Sequence, residues 1–280
     1  MQLTTSQKEK MGVGFLFLLS LALALIPYTS QLSGTDSYYK ARLAQYAIVG
    51  APISGPDPQS YYEIQPQMHE PPVSYWVTAG AYNLVARITG TGLDQSLLLG
   101  MMAALPALFG ALAVVLAYYL LKELFRQRLA ALGAVLLALS PLLLAQTIAG
   151  FYSEAALGLL LFTAAALLLL RSLRSGSLPL AAGAGILLGA NAATWSGAVW
   201  GFIALYAIVG ISILRKSTKL PLQNAAAFVL PSLLALAVAQ FWPALSLQPA
   251  SLALPWAAAP LFIASVVLGL AGAVRPKLVL

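Results

Sequence analysis

Cysteine is absent from the 280-residue chain, and histidine occurs once, at His69. Without thiols there is no disulfide, no thiolate metal site, no Cys nucleophile and no iron–sulfur cluster. One imidazole alone leaves a zinc site short of its usual ligands. Charge is scarce as well: 15 Lys+Arg and 8 Asp+Glu, where a soluble domain of this length carries roughly 70 charged residues. That excludes a soluble globular domain. Disorder is excluded too, because it requires low hydrophobicity and high charge. The apolar runs are long and rich in Leu and Ala, not the alternating ten-residue segments of a transmembrane β-barrel. What the chain has is apolar residues, 60% of the total, enough for about eight helices of about 20 residues each.

Eight apolar spans are predicted, at roughly 11–29, 96–121, 129–147, 154–170, 179–195, 197–214, 225–243 and 254–274. The cations sort between the loops. Lys8 and Lys10 precede span 1; Lys122, Arg126 and Arg128 lie between spans 2 and 3; Arg171 and Arg174 lie between spans 4 and 5. Arg215, Lys216 and Lys219 lie between spans 6 and 7, and Arg275 and Lys277 follow span 8. The other loops hold only Lys40, Arg42 and Arg87, all in one long segment. By the positive-inside rule this places both termini in the cytoplasm of a multi-pass cell-membrane protein. The net charge of +7 is then a topology signal, not a nucleic-acid footprint. Trp76, Trp195, Trp242 and Trp256 fall near the predicted outer ends, as an interfacial belt does. Span 1 reads as a retained signal-anchor, its apolar run being long for a cleaved signal.

The longest segment between spans, 30–95, is assigned to the outer face and holds Asp36, Asp57, Glu63, Glu70 and Asp94, five of the eight acids. Loops of this length are usually functional. Residues 36–49 read as a short amphipathic helix with Tyr39, Leu43 and Tyr46 at helical spacing, and 72–88 as another, lying in the interface. The glycine pairs Gly185/Gly189 and Gly197/Gly201, each four residues apart, read as close helix packing.

Acids beside a span are functional candidates. Asp36 follows span 1 and Glu154 opens span 4, at the same membrane face. If those spans are neighbours, the two carboxylates can share a hard divalent cation such as Mg²⁺ or Mn²⁺. The competing readings are structural: Asp36 as a helix N-cap, and Glu154 as a first-turn acid behind a Ser153 cap. Arg42 and Lys40 can hold a phosphate, or Lys40 can simply pair with Asp36 at i,i+4. His69 and Glu70 are either surface decoration or part of an acceptor or lipid-head site.

Three stretches resemble oligosaccharyltransferase catalytic subunits. Asp36-Ser37-Tyr38-Tyr39-Lys40-Ala41-Arg42 resembles the D-x-Y-Y-x-x-R segment after that family's first span. Gln146-Thr147-Ile148-Ala149-Gly150-Phe151-Tyr152 resembles the stretch leading into its second acidic motif, and Ala193-Thr194-Trp195-Ser196-Gly197 its T-W-x-G turn. His69-Glu70-Pro71-Pro72 with Tyr75-Trp76 is similar to a segment of lipid-phosphate-dependent glycosyltransferases of the wider GT-C superfamily. The resemblance implies a metal-binding Asp36 facing the acceptor. It also implies a second motif with two acids after the Ala-Gly pair; here those positions hold Ser153 and Ala155, and the one acid, Glu154, lies between them.

The resulting expectation is an all-α, polytopic transmembrane helical bundle, GT-C-like, with residues 1–280 as a single transmembrane domain and a structured first outer loop. The implied activity is transfer of a sugar or oligosaccharide from a polyprenyl-phosphate or polyprenyl-diphosphate donor to a polypeptide acceptor on the outer face. Asp36 and Glu154 are expected to be catalytic and to bind the metal. Arg42, Lys40, Tyr39, His69, Glu70 and Trp195 are expected to bind substrate. The family's further spans and C-terminal soluble domain are missing from the sequence. The ending Arg275–Leu280 reads as an inner loop cut short. The expectation is a fragment of a longer protein, a reduced relative, or a subunit completed by a second chain. Two other classes stay open: a non-catalytic GT-C-like scaffold, and a lipid-sugar transporter or flippase with helices broken at Pro106, Pro141 or Pro231.

Overall fold

The computed structural model describes residues 5–28, 31–51, 55–56, 67–68, 73–195, 197–214 and 222–241. In chain order these form α1 (Thr5–Leu25), α2 (Thr35–Val49), β1 (Gly55–Pro56), β2 (Gln67–Met68), α3 (Val73–Thr89), α4 (Gln95–Leu124) and α5 (Gln127–Ala138). They continue as α6 (Pro141–Thr147), α7 (Glu154–Ser175), α8 (Leu178–Ala192), α9 (Ala198–Leu214) and α10 (Leu222–Phe241). The architecture is helical apart from the antiparallel two-residue pairing of β1 with β2, which sets Gly55 opposite Met68.

Seven of the expected spans coincide with helices, and the two expected outer-loop helices are α2 and α3. The span at 254–274 lies outside the described residues. Among the described residues, α4 and α7 are long and apolar enough to cross a membrane, and a third crossing exists if α5 and α6 form one bent span. The single span expected at 129–147 is in fact broken by a 58° bend between those two helices. The cause is Pro141 at the first turn of α6, where its missing N–H is tolerated but continuation of the preceding helix is not. Pro106 and Pro231, by contrast, sit inside the unbroken helices α4 and α10.

α4 and α7 pack against each other as the central pair, with α1, α5 and α6 on one flank and α8, α9 and α10 on the other. In lipid, apolar surface alone does not drive helices together, so close contact between small residues carries the packing. Ala130, Ala134 and Ala138 recur every fourth residue along α5, are fully buried, and pack into the cluster around Val114 and Tyr118 of α4. Gly185 of α8 faces the Phe228 backbone of α10, where any Cβ would collide with the carbonyl oxygen. Gly201 of α9 likewise faces Phe162 of α7. The packing reading therefore holds for Gly185 and Gly201, while Gly197 faces the nearby Trp195 side chain instead.

Polar contacts gather at opposite ends of the central pair. At one end Glu123 of α4 bonds Arg171 (2.9 Å) and Arg174 (2.8 Å) of α7, and Lys122 pairs with Glu9 of α1. At the other end lie Glu154, α2 and α3. The 22 residues of α7 separate the two ends by about 33 Å at 1.5 Å per residue, close to the thickness of a bilayer's hydrocarbon core.

Candidate active site

The loop 148–153, between α6 and α7, organises the site. Its backbone is tied to three other parts of the chain: Ala149 N–H donates to Ala24 O (2.8 Å), Gly150 N–H to Ala103 O (2.9 Å), and Ser33 N–H to Gly150 O (2.6 Å). Gly150 has φ +89°, a conformation that glycine adopts without steric cost. Ser37 Oγ, buried at the start of α2, accepts from Tyr152 N–H at 3.3 Å. These bonds bring the start of α2 against the start of α7.

Ser153 then caps α7, accepting from Ala155 N–H, while its hydroxyl donates to Gln146 Oε1 at 2.8 Å. Asp36 caps nothing. The N-cap of α2 is Gly34, with no side-chain cap bond, and Asp36 is a first-turn residue. The capping reading therefore holds for Ser153 and fails for Asp36.

Asp36 and Glu154 converge on Lys40. The Lys40 ammonium lies 2.7 Å from Asp36 Oδ2 and 2.9 Å from Glu154 Oε2, so the two oxygens are no farther apart than the sum of those distances. Tyr75, fully buried on α3, donates its hydroxyl to Glu154 Oε1 at 2.9 Å. The Glu154 and Lys40 side chains are only 10% and 11% exposed, whereas that of Asp36 is 57% exposed. The cluster thus opens outward through Asp36. Burial disfavours charge on Lys40, but Glu154 and Asp36 outweigh it and hold its pKa above the ordinary 10.5. The ammonium is a fixed positive charge at neutral pH.

Behind the cluster, Tyr152 donates to Ser74 O (3.1 Å) and meets Thr78 Oγ1 at 2.9 Å. Burial pushes the Tyr152 phenol well above its usual range, against the opposing effect of its contacts with Thr78 and Ser74, so it stays a neutral donor. Sequence reasoning noted Tyr75 only as part of a motif and did not single out Ser37, Ser74 or Thr78. Their signal is weak, because small hydroxyls and tyrosines are common at membrane interfaces.

Arg42 is placed elsewhere. Two helical steps turn a side chain by about 200°, so Lys40 and Arg42 leave α2 on nearly opposite sides. Arg42 lines a cleft of about 160 Å³ with Tyr38, Ala41, Gln45, Gln95, Leu98 and Leu99. Its guanidinium stands 5.4 Å from the centre of the Tyr39 ring, within cation–π range. Trp195 follows α8 and packs against α7 one turn beyond Glu154: a Cβ on Gly158 would lie 3.1 Å from its side chain. The start of α3 joins the same turn through Val73 N–H to Ala193 O (3.2 Å). His69 and Glu70 lie outside the described residues.

Whether a divalent cation fits is decided by the donor set. Among the described residues, no group of three His, Cys, Asp or Glu side chains converges. Of the four oxygens on the two carboxylates, two face Lys40 and a third accepts a hydrogen bond from the Tyr75 hydroxyl. Magnesium prefers six oxygen ligands in an octahedron. The described residues alone do not complete a site for the expected Mg²⁺ or Mn²⁺.

The sequence matches the family model described as oligosaccharyl transferase STT3, N-terminal, over residues 23–271. The chain belongs to this family, and is a helical membrane protein of it. Its fold matches the archaeal oligosaccharyltransferase AglB of Archaeoglobus fulgidus in complex with an inhibitory peptide and a dolichol-phosphate. There the TM-score is 0.70 at 20% identity, over 93% of this chain and 33% of that one. The Archaeoglobus fulgidus oligosaccharyltransferase in complex with Zn and sulfate matches with TM-score 0.69 at 20% identity, over 91% of this chain and 35% of that one. The apo form gives TM-score 0.68 at 21% identity, over 91% and 32%. The chain therefore spans about a third of the length of these solved relatives. No curated protein sequence matches it.

Proposed function

We propose that the chain carries the membrane part of an oligosaccharyltransferase-type reaction: transfer of a sugar or oligosaccharide from a polyprenyl-phosphate or polyprenyl-diphosphate donor to a polypeptide acceptor on the outer face. The observation that carries this is the meeting of Asp36 of α2 and Glu154 of α7 on one ammonium, at one end of the α4–α7 pair, in a chain of the STT3 family. Dolichol-phosphate and a peptide are named for the AglB complex, and they suggest the corresponding ligand classes here. The eight-span topology, with both termini cytoplasmic, rests on the loop charges and puts this end outside.

In this reading the lipid chain lies along the helices, and α2 offers the phosphate two cations: Lys40 in the carboxylate cluster and, in the separate cleft, Arg42, which can make paired hydrogen bonds to phosphate oxygens. The more exposed carboxylate, Asp36, orients the acceptor nucleophile and accepts its proton. Trp195 and Tyr39 border the two pockets; His69 and Glu70 are assigned to the acceptor or lipid-head side on sequence grounds. A second reading, a non-catalytic or incomplete subunit whose partner chain supplies the chemistry, is favoured by one observation: the second motif offers a single acid, already bonded to Lys40 and Tyr75.

The test uses membranes carrying the full chain, a labelled polyprenyl-diphosphate sugar and a fluorescent Asn-x-Thr peptide. Glycopeptide is expected, with Asp36→Ala reducing it by at least about 100-fold. Donor cross-linking without glycopeptide supports the subunit reading. Glycopeptide formed equally well by Asp36→Ala removes the catalytic assignment.

A further inference from the structure

We propose that Lys40 stands in for a divalent cation between Asp36 and Glu154, so that this site holds the anionic head of its ligand without metal. The geometry is that of a shared cation. One ammonium sits at hydrogen-bond distance from a carboxylate of α2 and a carboxylate of α7, at 2.7 and 2.9 Å. The side chain reaches there because Lys40 lies four residues after Asp36 on the same face of α2. It is held there from the far side, since Tyr75 fixes the other oxygen of Glu154.

The donor set supports the metal part of the assignment. A divalent ion added beside the ammonium would find, among the described residues, two carboxylate side chains to supply ligands to an ion that takes six. Ser153 and Ala155, flanking Glu154, provide no further carboxylate, and Ser153 is committed to the helix cap. An ammonium also has three protons. Two point at Asp36 and Glu154; the proposal gives the third to an anionic oxygen arriving past the exposed Asp36.

That oxygen belongs to a phosphate or diphosphate if the transferase reading is correct; this part of the inference rests on that reading, and the metal part does not. No bond is made or broken at Lys40: it is a positioning residue that neutralises charge on the bound head.

The experiment has two arms on the full chain in nanodiscs. In the first, Mn²⁺ is titrated while its free-ion paramagnetic resonance signal is followed. The wild-type chain is expected to take up no stoichiometric Mn²⁺. Uptake that Asp36→Asn or Glu154→Gln abolishes overturns the proposal, and this arm needs no Lys40 variant to fold. In the second, binding of labelled polyprenyl diphosphate is measured with and without EDTA. Binding is expected to be indifferent to EDTA, weakened about tenfold by Lys40→Met and restored in large part by Lys40→Arg. Binding that EDTA abolishes overturns the proposal. No lipid binding by a folded chain that also takes up no Mn²⁺ leaves the metal part standing and removes the transferase reading on which the anion's identity rests.

Discussion

Tyr75 and Tyr152 stack with ring centroids 6.4 Å apart and planes 26° from parallel, yet their hydroxyls serve different partners. Tyr75 donates to a carboxylate at 2.9 Å, Tyr152 to a backbone carbonyl at 3.1 Å. A hydrogen bond to a charged group contributes about 2 kcal/mol and a neutral one about 1 kcal/mol. The Tyr152 hydroxyl also meets Thr78 Oγ1 at 2.9 Å, so its two neutral bonds together match the one charged bond of Tyr75. Tyr75→Phe and Tyr152→Phe are therefore each expected to lower the melting temperature in detergent by roughly 5 °C. Thermal unfolding of the two purified variants beside the wild type decides this; a shift confined to one of them would contradict it.

Alkaline titration tests Lys40. Its folded pKa is raised above 10.5, so the stabilisation it confers is complete below 10.5 and disappears as pH rises through the folded value. Lys40→Met is expected to remove this alkaline loss, while being less stable than wild type at neutral pH. Melting temperature against pH for both proteins gives the answer: parallel alkaline limbs would exclude Lys40 as their source.

Acid titration tests Asp94. This side chain caps α4, accepting from Ser96 N–H (2.8 Å), the Ser96 hydroxyl (2.7 Å) and Leu97 N–H (3.3 Å). The Ser96 hydroxyl first, then the two backbone bonds, hold the carboxyl below its ordinary 3.8. Its contribution is present above 3.8 and fades as pH falls through the folded value. Asp94→Asn keeps a good cap but does not titrate, so its stability curve is expected to be flatter than wild type between about pH 5 and pH 2.

Gly158→Ala tests the wall that Trp195 forms beside Glu154. The added Cβ would lie 3.0 Å from Asn191 Oδ1 and 3.1 Å from the Trp195 side chain. Overpacking of this kind costs about 1–3 kcal/mol. Trp195 fluorescence is expected to shift, a change read against a Trp195→Phe control. An unchanged spectrum would mean the turn does not press on α7.

Gly185→Ala is expected to be worse, because the obstacle is the Phe228 backbone and not a side chain that can rotate. The α8–α10 contact must open. Loss of monodisperse protein on gel filtration is the expected result, and wild-type behaviour would refute the close approach.

Apolar periodicity made the helices legible in the sequence. α2 and α3 were legible at nearly their observed ends, because each is bounded by turn residues such as Gly34, Gly50, Pro72 and Gly90. The break at Pro141 was not placed, since an apolar run reads as continuous whether or not a proline bends it. At the site, the convergence of Asp36 and Glu154 was anticipated from their common membrane face. Lys40 between them was not, because an i,i+4 pair on one helix says nothing of a third partner 114 residues away. Arg42 shows the opposite limit: adjacency in a motif suggested a shared pocket, and the helical turn separated it from Lys40.

The tethers of the 148–153 loop are main-chain hydrogen bonds, from Ala149 to Ala24, from Gly150 to Ala103 and from Ser33 to Gly150. Such bonds are indifferent to the side chains that follow. The side chains at 154 and 155 can therefore be exchanged with these three tethers left intact, whereas Ser153 also caps α7 and bonds Gln146. A scaffold of this kind separates shape from chemistry: the backbone sets where position 154 meets α2, and the side chain carried there sets what the meeting can do.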